Sequence, residues 1–370
     1  MSTNVTAVEE QPIILEQIPL NSATNKQTKT NYHFVDLIRF LSMMGIVWAH
    51  INVSDMLSTE NLKTTDHSFA VILFMQFWKF GVICFFIISG FLLADTDRLN
   101  NTKIYYQKRV KTLLKPYTIA LSIFLILDLL IHPFFEKTTL TGHFILNKLY
   151  LLLTQSAFWF VPNYIIALST ILLFRKYVPS IKFGVTLLAI TLVYSVLTVY
   201  TSQYQASHTT AFLGFVFYLW LGVYFNKNKI LDKIKSMRSA VLILTAISLF
   251  ILSSIESFFL FRLNLSFFSI LRIGNQLYSL SIFALLVNLS SKIPPFKFFN
   301  PRKETYGIYL YHCFFVIVPK RFYTLLHIKL PYNHTFECMG HAIIWFAICY
   351  LGTTILVKTL NHFKLGYLPS

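Results

Sequence analysis

Phe34–Val53, FVDLIRFLSMMGIVWAHINV, is apolar almost from end to end and yet carries Asp36, Arg39 and His50. A run of this length and character predicts a helix able to cross a bilayer, which takes ~20 apolar residues. Arg39 and His50 are eleven residues apart. At ~100° per residue, eleven helical steps return the azimuth to within about 20°, so the two side chains share one face. A rise of ~1.5 Å per residue separates them by about 16 Å along the axis. Asp36, three residues before Arg39, lies near the same stripe. An ionisable side chain in a membrane helix costs at least ~2.5–3.5 kcal/mol on insertion scales, so it marks a functional site by default.

The rest of the chain agrees with this reading. Of 370 residues, 55% are hydrophobic, 17% aromatic and only 13% charged, against roughly 25% charged in soluble domains. The expected fold is all-α: a polytopic membrane helix bundle of about ten transmembrane helices. The spans fall near 34–54, 70–94, 116–135, 158–174, 181–200, 209–226, 239–261, 268–290, 305–323 and 339–358. With the N-terminus inside, Lys63, Lys137, Lys148, Arg262, Lys320, Arg321 and Lys329 fall in outer loops, and Arg39, Lys79 and Arg272 within spans. The remainder of the 32 Lys and Arg fall on the inner side. That segregation is the positive-inside bias and predicts both termini in the cytoplasm. It also accounts for the formal charge of +17. No RNP, helix-turn-helix or zinc-finger pattern supports nucleic acid as a partner.

Residues 1–32 read as a polar cytoplasmic tail without a signal peptide, 33–360 as one membrane domain and 361–370 as a short cytoplasmic tail. Within 136–157, His143–Leu153 is apolar but too short to cross, which suggests an interfacial or re-entrant piece. Cys84, Cys313, Cys338 and Cys349 lie in or beside apolar runs without paired spacing. They read as small buried residues, not as a disulfide framework or a metal site. Lys79 and Arg272 are expected to face a wet cavity or to pair with an acid, and are candidates for an acceptor site.

Further motifs follow in order: FFIISGFLLA (Phe85–Ala94), YYQKRVKTLLKPY (Tyr105–Tyr117, read as an inner loop), FWFVPNY (Phe158–Tyr164) and ETYGIYLYH (Glu304–His312). With Arg39 and His50 these resemble acyltransferase family three, the integral-membrane acyltransferases that modify glycans and related molecules. The resemblance covers about residues 33–358. It implies a catalytic His50 with an essential Arg39, and brings Ser89, Gly90 and Phe91 in as the family's SGF motif. The family's Arg-x-x-Arg is met at Arg109, with Thr112 at its second position and Lys111 beside it. Tyr306, Gly307, Tyr309, Leu310 and His312 match the Ser-Tyr-Gly-x-Tyr-Leu-x-His pattern, with Thr305 in place of serine.

The resemblance implies an O-acyltransferase, most often O-acetyl, acting in polysaccharide modification at the cell membrane, the inner membrane in bacteria. Acyl transfer from a thioester to a hydroxyl needs a base for the hydroxyl proton and a cation or dipole for the oxyanion. Imidazole is the side chain best matched to that base near neutral pH. Acetyl-CoA or another acyl-CoA would set its phosphates on Lys108, Arg109, Lys111 and Lys115, with its pantetheine arm extending along the Arg39 stripe toward His50. No metal or permanently bound cofactor is expected. The acceptor would be an envelope glycan or lipid-linked sugar, with envelope-biosynthesis proteins as possible partners. Asp36, Ser89, Tyr306, Tyr309 and His312 are supporting candidates. Blander roles stand beside these: the basic run flanks a span, Ser89-Gly90 lets helices approach, and Arg39 snorkels to headgroups. The alternative from another class is an exporter of glycan or lipid through the same polar interior.

Overall fold

In the computed structural model α1, His33–His50, packs against α3 (Gly81–Ala94), α11 (Ile273–Leu289), α12 (Pro301–Leu325) and α13 (Thr335–His362). The structure describes residues 32–51, 65–94, 102–135, 141–201, 208–294, 298–325 and 335–363. The tail expected at 1–32 lies outside them but for Tyr32, as does most of the short tail at 361–370. Asp36 lies in the first turn of α1, where a negative charge complements the helix dipole, and His50 in the last.

Every element among the described residues is helical. Five stretches are long and apolar enough to cross a membrane: Ser68–Ala94, Thr102–Leu130, Ile181–Tyr200, Ser239–Arg262 and Thr335–His362. A sixth is possible if the bent pair Gly142–Gln155 and Ala157–Leu173 is one span. The other expected spans fall on helices that are shorter or more polar. α1 has 18 residues and holds three ionisable groups besides His33; α8 (Val216–Lys227) has 12 and α11 has 17.

Burial sorts the helices into an inner and an outer set. In Ser68–Ala94, 67% of the most apolar window is buried, against 17% in α13. α10 (Ser239–Arg262) and α13 expose Leu244, Leu252, Phe259, Ile344, Leu351 and Ile355 outward. Such faces suit lipid, in which an apolar perimeter carries no penalty. α3 is apolar on every side, as a helix surrounded by others must be. It meets α8 backbone to backbone. A Cβ on Gly90 would lie 1.9 Å from the Leu219 carbonyl oxygen, and one on Gly222 would lie 1.9 Å from that of Ile87. Small residues permit this approach.

Two local readings change and a third is kept. Span two is interrupted: α2 (Thr65–Gln76) ends in a turn at Phe77–Phe80 before α3 begins. The basic stretch read as an inner loop is helical, forming the first turns of the 34-residue α4, Thr102–Phe135. The span expected from 116 begins at Pro116, a residue that lacks an N–H and suits a first turn. Here the helix runs through it, and neighbouring hydroxyls bond back to carbonyls: Thr112 to Lys108 at 2.8 Å, Thr118 to Leu114 at 2.9 Å. Membrane helices tolerate proline with such bracing. The short segment at 136–157 contains α5 (Gly142–Gln155), which turns by 67° into α6 (Phe160–Leu173) through a 3₁₀ turn at Ala157–Trp159, as a re-entrant piece would.

Candidate active site

The Arg39 face of α1 opens on a cavity of about 190 Å³. Arg39, Arg109 and Arg302 line it together with Ser89, Thr112, Tyr164, Thr305, Tyr306 and Tyr309. Asp36 orders two of the guanidiniums. Arg302 donates to it from Nε at 3.0 Å and from Nη2 at 2.9 Å, and Arg39 Nη1 stands 3.6 Å from Oδ1. The two-pronged Arg302 contact fixes a plane as well as a distance. Arg109 reaches the cavity from α4, its guanidinium 5.8 Å from the centre of the Tyr164 ring. Tyr306 donates to the Leu113 carbonyl at 2.6 Å, tying α12 to α4.

The other end of α1 opens on a second cavity, of about 250 Å³. Ala49, His50, Trp78, Lys79, Gln155, Ser156, Trp159 and Phe268 are among its walls. Ile46, Phe160 and Tyr309 line both spaces, so they form the waist between arginines and imidazole. Tyr309 is held there by donating to the Ala157 carbonyl at 2.6 Å. Tyr117 likewise donates to the Phe158 carbonyl at 3.2 Å. The bend between α5 and α6 thus has carbonyls satisfied from α12 and α4, as non-helical backbone at membrane depth requires.

Behind His50 stands His312, fully buried, with ring centres 5.1 Å apart and planes tilted by 47°. His312 Nδ1 faces two carbonyl oxygens, Tyr309 at 2.7 Å and Ile308 at 3.1 Å. Both can only accept, so Nδ1 carries the proton and Nε2 presents its lone pair. Nε2 lies 3.6 Å from Cys313 Sγ.

The residues read from sequence separate cleanly. Arg39, Arg109, Ser89, Tyr306 and Tyr309 converge on the first cavity, with Asp36 bound to two of its arginines. His50 lines the second, with His312 against it. Lys108, Lys111 and Lys115 are exposed on α4 and line neither space. Gly90 packs against α8. All four cysteines are buried. Arg272 pairs with an acid, Glu256, at 3.3 Å, whereas Lys79 faces the His50 cavity. Arg302 and Tyr164 were not singled out. Arg302 had counted only toward topology, although it precedes Tyr306 by four residues and so shares its helical face. Tyr164 closes the FWFVPNY motif, but an uncharged residue alone gives no charge signal.

The family model of the acyltransferase domain matches residues 32–361. The chain belongs to acyltransferase family 3. The order of motifs from Arg39 to His312 falls inside that match, and the apolar helices make this family member a membrane acyltransferase of the multi-pass kind. No curated protein and no solved structure matches it.

Proposed function

We propose that this family 3 protein is an O-acyltransferase that moves an acyl group, acetyl in the first instance, from an acyl-CoA to a hydroxyl of an envelope glycan or related acceptor. The observation that carries the reading is the pair of adjacent cavities that share Ile46, Phe160 and Tyr309 as walls. Three guanidiniums on one side suit the phosphates of a coenzyme A donor, because planar N–H forks match phosphate oxygens. A thin pantetheine arm then reaches the waist, where the thioester meets the acceptor hydroxyl beside His50. That hydroxyl gives its proton to the His50 imidazole as its oxygen bonds to the acyl carbon. The acyl–sulfur bond breaks, and the departing thiolate takes up the proton as free CoA. His312, behind His50, positions that ring. The exposed Lys108, Lys111 and Lys115 add attraction for the donor without touching it.

The reading places both termini in the cytoplasm, ten crossings between them and the donor on the cytoplasmic side, in keeping with the positive-inside bias. Comparative mass spectrometry of envelope glycans, with and without the gene, tests the reaction. An acetyl increment is expected with the wild-type protein and none with His50→Ala at equal abundance, since losing a general base costs ~10²–10⁴-fold in rate. Unchanged acetylation in the His50→Ala strain sinks the mechanism and favours the exporter.

A further inference from the structure

The His50 cavity holds a second ionisable side chain whose role the reaction leaves open. Lys79 sits in the turn at Phe77–Phe80, where the chain breaks between α2 and α3. Its ammonium donates to the Phe268 carbonyl and stands 4.4 Å from the centre of the Phe268 ring. No Asp or Glu among the described residues pairs with it. Arg272, the fully buried cation nearby, differs from half-buried Lys79: it is matched by Glu256 and by the carbonyls of Ser253 and Ser269. An ammonium has three donors. A half-buried cation beside so much aromatic surface and without a counter-ion carries a cost that an anion binding next to it removes.

The remaining walls say what kind of molecule that is. Trp78, Trp159, Phe160 and Phe268 supply flat aromatic surface, and Gln155 and Ser156 supply polar groups. The C–H face of a sugar ring lies well on an aromatic ring while its hydroxyls reach the polar groups. About 250 Å³ falls below the ~300–1,000 Å³ of pockets for drug-sized ligands, so the space suits one sugar ring. We infer that the His50 cavity is the acceptor subsite, and that Lys79 makes it selective for a sugar bearing an anionic group, a carboxylate or a phosphate. The acceptor role rests on the acyl-transfer reading above; the anion preference is a binding property that stands apart from it.

The test uses the purified full-length protein in detergent with three probes: methyl glucoside, methyl glucuronide and glucose 6-phosphate. Thermal stabilisation by each is measured for wild type, Lys79→Gln and Lys79→Arg, followed by acetyl transfer from acetyl-CoA to each sugar. Wild type and Lys79→Arg are expected to be stabilised by one or both anionic sugars and not by the glucoside. Whichever anion stabilises more identifies the group. Lys79→Gln should lose that selectivity, with about a tenfold fall in kcat/KM for the anionic acceptor, the size of a charge-assisted contact. Its amide can still donate to the Phe268 carbonyl, and stabilisation by acetyl-CoA reports that it is folded. Equal binding of the anionic sugars by wild type and Lys79→Gln overturns the inference, as does a wild type indifferent to charge. Selective binding without any acetyl transfer keeps the anion site and removes the acyl-transfer reading. Transfer to all three sugars alike does the reverse.

Discussion

Tyr309 separates positioning from chemistry at the waist. Its ring is 7% exposed and lines both cavities, but its hydroxyl is already committed to the Ala157 carbonyl at 2.6 Å. Tyr309→Phe keeps the ring and strips that carbonyl of its donor. Leaving a buried acceptor unsatisfied costs ~1–3 kcal/mol, which lowers Tm by a few degrees at ~2–4 °C per kcal/mol. A hydroxyl bonded elsewhere does not stabilise an oxyanion, so kcat should fall by less than about tenfold, well short of the ~10²–10³ lost with a true oxyanion donor. Tyr309→Ala is a different perturbation. Removing a buried aromatic ring costs ~3–5 kcal/mol and merges spaces of about 190 and 250 Å³. Water then reaches the thioester, and acyl-CoA hydrolysis without acceptor should rise. Release of free thiol from acetyl-CoA, with and without sugar, reads both effects beside a thermal melt. A loss of kcat of about a hundredfold or more in Tyr309→Phe, at unchanged Tm, would refute this reasoning and make the hydroxyl a catalytic group.

Other outcomes are equally specific. Arg109→Gln should raise KM for acyl-CoA several-fold, whereas Lys111→Gln, exposed one residue from Thr112, should leave it nearly unchanged; equal effects in steady-state kinetics would mean that the cavity is not where the donor binds. Gly90→Ala places a methyl against the Leu219 carbonyl oxygen and should cost ~1–3 kcal/mol or more as overpacking. A detergent melt indistinguishable from wild type would show that α3 and α8 do not meet so closely. For topology, a cysteine at Asp232 should react with a membrane-impermeant thiol reagent only after permeabilisation, and labelling in intact cells would reverse the orientation.

What could be read ahead of the structure follows from how each signal is generated. The start of α1, and the shared stripe of Asp36, Arg39 and His50, come from local periodicity and charge, which a linear sequence carries directly. The turn of α5 into α6 was foreshadowed because an apolar piece too short to cross has few alternatives. The helix through Tyr105–Tyr117 was hidden, since polar composition and Pro116 both imitate a boundary, and only packing against Tyr164 and Tyr306 shows that the helix continues. The third arginine was hidden for a different reason. Arg302 is an ordinary flanking cation until Asp36, 266 positions earlier, is brought within 3 Å of it. Spacing along one helix is legible; convergence of three helices is not.

Arg272 adds a consequence for how the bundle is built. Its guanidinium is joined to Glu256 and the Ser253 carbonyl on α10, and to Gln76 on α2. Gln76 in turn donates to Asn275 on α11 at 3.0 Å. The opposite charges lie sixteen residues apart at the tip of one helical hairpin, while the α2 partner comes from far earlier in the chain. The hairpin therefore matches the Arg272 charge from within itself, which offsets the ~2.5–3.5 kcal/mol that an isolated cation costs in a membrane helix. Docking against α2 adds polar contacts in place of net charge. Side chains that resemble a ligand site thus act as a three-way clasp: Arg272 ties the start of α11 to α10, and Gln76 ties α2 to both Arg272 and Asn275.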